Sequence, residues 1–135
     1  MAKQFGQEDA ETQVRRIAIP VVSGNPSTPV ASLANPWGVS VYITRAVLVV
    51  DTIAAAACTV DAGVAADATT SADNLFDGLD VHSATGYFDN LIDHGTNGLA
   101  GKVWTTTQYV NVTKASGNAN SLVGRLFIEA IPLIA

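Results

Sequence analysis

Apolar and polar residues alternate along several segments of this chain, and this alternation is the feature that most constrains its fold. Val39, Val41 and Ile43 share one side of an extended segment, with polar or small residues between them. The same period of two recurs at residues 14–22 and 121–134. Successive side chains of a strand point to opposite faces, so this period predicts β-strands with one buried face.

The whole pattern predicts about seven or eight strands and almost no helix. The predicted strands lie at residues 14–22, 30–33, 39–51, 57–64, 102–107, 108–114 and 121–134. Pro20 and Pro132 cannot donate to a ladder, which favours a sheet edge or a bulge at each. We predict an all-β, jelly-roll-like two-sheet β-sandwich whose last strand pairs with its first.

Two segments leave alternatives open. Arg45 falls on the apolar side of its strand, so either a bulge shifts the register there or Arg45 is buried beside a carboxylate. Residues 46–50 after it are apolar on both faces, which predicts that they are covered on both sides. Residues 87–92 fit either a strand or a turn.

Residues 65–101 form a long irregular middle loop, rich in Asp, Asn, Gly, Ser and Thr. Within it, Thr70 is a candidate cap and Gly78 a candidate end for one helical turn. A loop this long in a compact domain is usually functional or is ordered by a partner.

The length of 135 residues favours one domain. We expect residues 1–12 to be an extended, polar N-terminal arm and residues 13–135 to be a single β-sandwich domain. Lys3 is followed by polar and acidic residues, unlike a secretory signal, and no apolar run is long enough for a membrane span. The expectation is synthesis in the cytoplasm and no membrane partner.

The low charge content bears on function. Charged residues make up 14% of the chain and hydrophobic residues 48%, whereas a typical soluble domain is about 25% charged. Part of the surface is therefore expected to meet other protein; the alternative is a neutral monomer rich in small residues. A net charge of −5 with only 7 Lys and Arg argues against nucleic-acid binding.

No catalytic, cofactor or metal site is predicted, and we expect a protein that is not an enzyme. His82 and His94 are the available bases, and no G-x-S-x-G nucleophile elbow occurs. Cys58, the single cysteine, is expected to be a small buried hydrophobe.

The acidic residues between Asp73 and Asp80 allow two interpretations. Asp73, Asp77 and Gly78 resemble part of a calcium loop, but Leu75 stands where a ligand is needed. The alternative is that these carboxylates cap turns.

Four aromatic residues could form an exposed platform for a carbohydrate: Trp37, Tyr42, Trp104 and Tyr109. The alternative for each is a place in the core or in a subunit contact. A carbohydrate- or receptor-binding β-sandwich module is therefore the second functional hypothesis.

Several phrases of the sequence resemble small structural proteins of tailed bacteriophages, the capsid decoration (cement) proteins. The phrases are ACTVDAGVAADATTSADNLFDGLD at residues 57–80, NPWG at 35–38, YFDN at 87–90 and LVGRLFIEAI at 122–131. The similarity runs over about residues 30–131 and contains no catalytic signature.

This resemblance implies a β-sandwich that oligomerises, commonly as a trimer, on the outer surface of a phage capsid and staples neighbouring copies of the major capsid protein. The location implied is the virion. For the carbohydrate- or receptor-binding hypothesis, the resemblance implies a module of a phage tail or fibre. On this hypothesis the interaction residues are Phe5, Arg15 and Arg16 near the arm, together with Trp37 and Trp104. Arg15 and Arg16 fit an ordinary solvated pair equally well.

Overall fold

The computed structural model describes residues 13–23 and 29–133. Nine strands and no helix occur within these ranges. The strands are β1 (Arg15–Val22), β2 (Ala31–Ala34), β3 (Val41–Thr52), β4 (Cys58–Ala65), β5 (Phe76–Asp80), β6 (Gly86–Asp89), β7 (Lys102–Trp104), β8 (Tyr109–Gly117) and β9 (Val123–Pro132).

The strands form two antiparallel sheets packed together, and the predicted β-sandwich is confirmed. One sheet has the order β1-β9-β3-β6, with β7 also on β3, and the other has the order β2-β8-β4-β5. Without the short β7, these two four-stranded sheets have the strand order of a jelly roll. The first and last strands pair along their full length, from Arg15 opposite Ala130 to Val22 opposite Val123, as predicted.

The core lies between the two sheets and is built from the inward positions of the alternating strands. On β9, Leu126 and Ile128 are buried while Phe127 between them is exposed. The largest fully buried side chains are Trp104, Phe76, Ile43, Leu48, Leu75, Leu122, Leu126 and Ile128. The period of two that predicted the strands therefore also decides which face is buried.

The structure decides between the alternatives at Arg45. The β3–β9 register shifts between Ile43 and Arg45, so a bulge turns Arg45 outward, and its side chain is half exposed.

Pro20 lies on β1, which is the edge strand of its sheet, in agreement with the limit that proline sets on hydrogen bonding. Residues 87–92 are a strand that ends at Asp89 and then a turn.

The helical turn expected between Thr70 and Gly78 is wrong. The segment runs without helix into β5, and Gly78, expected to end the turn, lies within that strand at a φ of 71°. Asp67, rather than Thr70, organises the start of the segment: its carboxylate accepts hydrogen bonds from the backbone N–H groups of Thr69 and Thr70. The Leu75 N–H then donates to the Ala62 carbonyl of β4, so the segment continues into the sheet and not into a helix.

The first part of the middle segment packs on the outer face of the β2-β8-β4-β5 sheet. Asn111 of β8 points outward, yet it is fully buried. Its amide donates to the backbone carbonyls of Asp67 and Thr70, at 2.8 and 2.9 Å, and its oxygen accepts from the Ser32 hydroxyl. Asn111 is therefore an outward residue that lies beneath a covering segment.

Two more asparagines form hydrogen bonds with strand backbone groups that no neighbouring strand pairs with. Asn74 accepts from the Val64 N–H at 2.8 Å and donates to the Val64 carbonyl at 2.9 Å. Asn90 makes the same kind of contact with Ala46: its side chain accepts from the Ala46 N–H, and its backbone N–H donates to the Ala46 carbonyl. These amides satisfy backbone groups at positions where the neighbouring strand has ended.

The Asn111→Ala variant tests this account of the middle segment. Substitution removes three hydrogen bonds and leaves the carbonyls of residues 67 and 70 without their buried donor, so we expect the free energy of unfolding to fall by about 2–3 kcal/mol. Urea denaturation followed by circular dichroism measures the change. Asn120→Ala, at an exposed asparagine, is the control; an equal loss in both variants would contradict the account.

Candidate interaction face

The outer face of the five-stranded sheet carries a set of exposed apolar side chains, and we call it the apolar face. Its exposed apolar members are Val22, Tyr42, Tyr87, Val103, Val123, Phe127 and Ile131. Each lies at an outward position of β1, β3, β6, β7 or β9. No segment among the described residues packs over this face in the way that residues 67–74 pack over the other sheet.

Strand register places these residues side by side. Phe127 of β9 lies opposite Ala18 of β1 and Val47 of β3, and in the next row Arg125 lies between Pro20 and Val49. Because rows on one face of a sheet are in contact, the outward residues form one surface, in which the charged row of Arg16, Glu129 and Arg45 separates the apolar row of Phe127 from that of Ile131. Phe127 is near its centre and keeps 39% of its surface exposed.

Ion pairs are set among the apolar side chains. Arg16 contacts Glu129 at 3.3 Å, and Arg125 contacts Asp51 at 3.5 Å. The Arg125 guanidinium also lies over the Phe127 ring, 5.4 Å from its centroid. Pairs this exposed stabilise a fold little, so their significance lies in the charge pattern that they present.

A third ion pair borders a shallow depression in the apolar face. Arg45 contacts Asp89, with its Nε 2.8 Å from the carboxylate. The depression has a volume of about 160 Å³, and its lining includes Arg16, Arg45, Val47 and Phe127. Its walls are mainly apolar, with charges at the rim, which is the usual arrangement of a protein-contact surface.

The residues predicted for interaction fall in three places. Arg16 lies on the apolar face, whereas Arg15 next to it is turned away and donates to the Gln13 carbonyl. Phe5 lies outside the described residues. Trp37 is half-buried and packs edge-on against Trp104, with ring centroids 5.5 Å apart. Sequence reasoning did not select Phe127 or Tyr87, although alternation already placed Phe127 on the outer face.

Trp104 is a core residue. Its side chain is fully buried, and its Nε1 donates to the Gln108 carbonyl at 3.0 Å. Direct contact with a partner, or a place in a carbohydrate platform, requires an exposed ring, so the structure removes Trp104 from both sets. Of the other platform candidates, Tyr42 is exposed on the apolar face and Tyr109 is half-buried on the opposite sheet.

The acidic residues of the middle segment bind backbone and amide groups. Asp77 accepts from the Asn97 N–H, and Asp73 accepts from the Asn97 side-chain amide. Hydrogen bonds from the N–H of Thr69 and from Thr70 lower the pKa of Asp67 to about 2. Turn capping accounts for Asp67 and for Asp80, which accepts from the N–H groups of His82 and Ser83, whereas Asp73 and Asp77 hold the distant Asn97. No cluster of three metal-ligating side chains occurs in the ranges 13–23 and 29–133.

A second depression, of about 420 Å³, lies beside Cys58, Asp80, His82 and Ser83. The Ser83 hydroxyl donates to Asp80, while His82 Nδ1 contacts the Ala54 carbonyl at 2.7 Å. Serine and histidine are thus each engaged elsewhere, unlike a nucleophile and its base. Cys58 is buried, and burial raises the pKa of its thiol, as expected for the small hydrophobe predicted from sequence.

Comparison with known proteins gives no relative. No protein-family model, no curated protein and no solved structure matches the chain. In the described part of the chain there is also no helix with the length and hydropathy needed to cross a membrane. Function is therefore inferred from the surface itself.

Asp61 provides a pH test of the electrostatics on the second sheet. Burial, followed by the nearby Asp77 and Asp73, raises its pKa, against the Gly78 N–H that lowers it. A raised carboxyl pKa favours the folded state below the ordinary value near 4 and disfavours it once Asp61 ionises. We expect Asp61→Asn to raise Tm at pH 7 by about 1–3 °C, with the difference vanishing near about pH 3. Calorimetry at both pH values measures it, with exposed Asp93→Asn as control; a gain that persists in acid would contradict the assignment.

Proposed function

We propose that this chain is a structural virion protein that binds the outer surface of a tailed-phage capsid as an oligomer and stabilises the capsid lattice. The partner is the major capsid protein together with further copies of the chain. Binding requires complementary surfaces only, and no catalytic step, cofactor or nucleic acid is part of the proposal.

The apolar face is the observation that carries this proposal. The sequence is poor in charge, and the face gathers much of the resulting apolar exterior in one place, centred on Phe127. A contiguous exposed apolar surface on a water-soluble protein marks a protein contact. The resemblance of residues 57–80 and 122–131 to decoration proteins supports the choice of a capsid as the setting.

The jelly-roll order of the sheets is compatible with both functional hypotheses. A two-sheet sandwich of this kind is common among viral capsid and lectin domains, so the fold alone fits either hypothesis. The carbohydrate-binding alternative loses support because Trp104 is buried and Trp37 packs against it, which leaves no exposed tryptophan pair to stack on a sugar ring.

Binding to capsid shells tests the proposal directly. Purified protein is mixed with expanded shells assembled from the major capsid protein encoded beside it, and bound protein is measured by co-sedimentation. We expect saturable binding and a higher denaturation temperature of the shell, because each bound copy stabilises only the assembled state.

Shells already saturated with the protein are the control and should bind no more of it. Absence of co-sedimentation at concentrations of about 100 µM, far above the micromolar range of ordinary assembly contacts, would contradict the proposal.

A further inference from the structure

The outward residues of β9 form a charge pattern that is complementary to itself. In order they are Val123, Arg125, Phe127, Glu129 and Ile131, and all are at least partly exposed. Read from Phe127 in either direction, the pattern is a charged residue and then an apolar one, but the sign of the charge is opposite on the two sides. A segment of this kind complements a copy of itself in the reversed direction.

We propose that the apolar face packs on the apolar face of a second copy of this chain about a two-fold axis that crosses β9 at Phe127. The axis lies in the plane of contact and perpendicular to the strand, so the two β9 strands run in opposite directions. Phe127 then meets Phe127 of the second copy, and Arg125 faces Glu129 of the second copy. A second copy of the chain is thus one partner of the apolar face, and this inference rests on the proposed function, which depends on the same face.

The strands beside β9 agree with this arrangement. In the row of Glu129 lie Arg16 and Arg45, and in the row of Arg125 lie Pro20 and Val49. The two-fold axis exchanges these rows, so each arginine of one copy meets an uncharged residue of the other. The row on the axis contains Ala18 and Val47 beside Phe127, and an apolar row can face itself.

Asp89 is the carboxylate of the axis row. It lies at the edge of the sheet on β6, opposite Val47, its side chain is 18% exposed, and Arg45 of the same chain binds it. Its charge is therefore compensated within each copy before the two copies meet.

The charge of the apolar face also favours a second copy of the chain as its partner. Among the described residues, the ion pairs of the face balance three arginines against Asp51, Asp89 and Glu129, so the face is neutral while the whole chain carries −5. Two copies with the same negative charge repel least where their surfaces are neutral. A strongly basic or acidic partner gains nothing from such a face.

The size of the face is close to that of a standard contact. Its five strands contain 37 residues, which at about 3.3 Å per residue and about 4.8 Å between strands cover roughly 600 Å² of flat area. A standard protein interface buries about 800 Å² on each partner, and side chains that project from the sheet add to the flat area. Two sheets stacked in this way pack about 10 Å apart.

Two charge-reversal variants test the contact. Arg125→Glu and Glu129→Arg each place like charges opposite one another twice in the symmetric dimer, so we expect each to raise the dimer dissociation constant by about tenfold or more. When the two variants are mixed in equal amounts, one copy presents two carboxylates and the other presents two guanidinium groups. Both contacts then pair opposite charges, and a heterodimer should form with near wild-type affinity. Sedimentation velocity and light scattering measure the masses.

The wild-type protein should be a dimer of about 28 kDa, twice the chain mass of 14.0 kDa. Ala115→Asp, at an exposed position on the opposite sheet, is the control and should remain dimeric. Circular dichroism of each variant checks folding, and recovery on mixing requires that both variants are folded.

The contact is overturned by a wild-type monomer at about 1 mM, by a trimer, by reversal variants that stay dimeric, or by variants that do not recover when mixed. These outcomes can be distinguished from a failure of the proposed function. A trimer that binds shells would support the capsid role and exclude the two-fold contact, whereas a dimer that ignores shells would do the reverse.

Discussion

Three asparagine side chains, those of the buried Asn90 and Asn111 and the half-buried Asn74, hold the middle of this chain in place, and the form of the molecule depends on them. A strand that ends early leaves N–H and C=O groups on its neighbour, and buried groups of that kind need partners. Asn74 provides an acceptor for the N–H of Val64 and a donor for its C=O, and Asn90 does so for Ala46. The Asn111 amide donates to the carbonyls of residues 67 and 70. A long irregular segment is thereby fixed without a helix.

The position of that segment makes the two outer faces of the sandwich different. Residues 67–74 cover the centre of the β2-β8-β4-β5 sheet, where Gly63 leaves room for Asn74: a Cβ there would lie 2.5 Å from the Asn74 oxygen. The five-stranded sheet has no such cover among the described residues, and its apolar side chains stay in contact with water. Folding thus concentrates the apolar exterior on one side, and this asymmetry underlies both functional proposals.

The strand pattern was largely predictable, and the reasons for the exceptions are physical. Alternation predicted the buried and exposed sides of β9, and the jelly-roll expectation predicted the pairing of the first strand with the last. Residues 65–101 were expected to be an irregular loop, but they contain the strand β5 and, at residues 86–89, β6. The expected helical turn from Thr70 failed because distant residues take its backbone groups: the Thr70 carbonyl accepts from the Asn111 amide, and the Leu75 N–H donates to the Ala62 carbonyl of β4. Arg45 could not be assigned to a face because a bulge in β3 depends on its register with β9. Trp104 looked like a surface aromatic because it ends a strand of three residues, too short for a clear period.

The sequence by itself determined the fold class, the restriction of Pro20 to a sheet edge or a bulge, and a surface with too few charges to cover its apolar area. These properties follow from local geometry and composition, since alternation and proline act within a few residues. Only the tertiary structure decided which apolar residues stay exposed and which charges lie beside them. That choice depends on contacts between residues far apart in the chain, such as Asn111 with Asp67 and Phe127 with Val47, and a local pattern contains no record of which distant segment will cover a face.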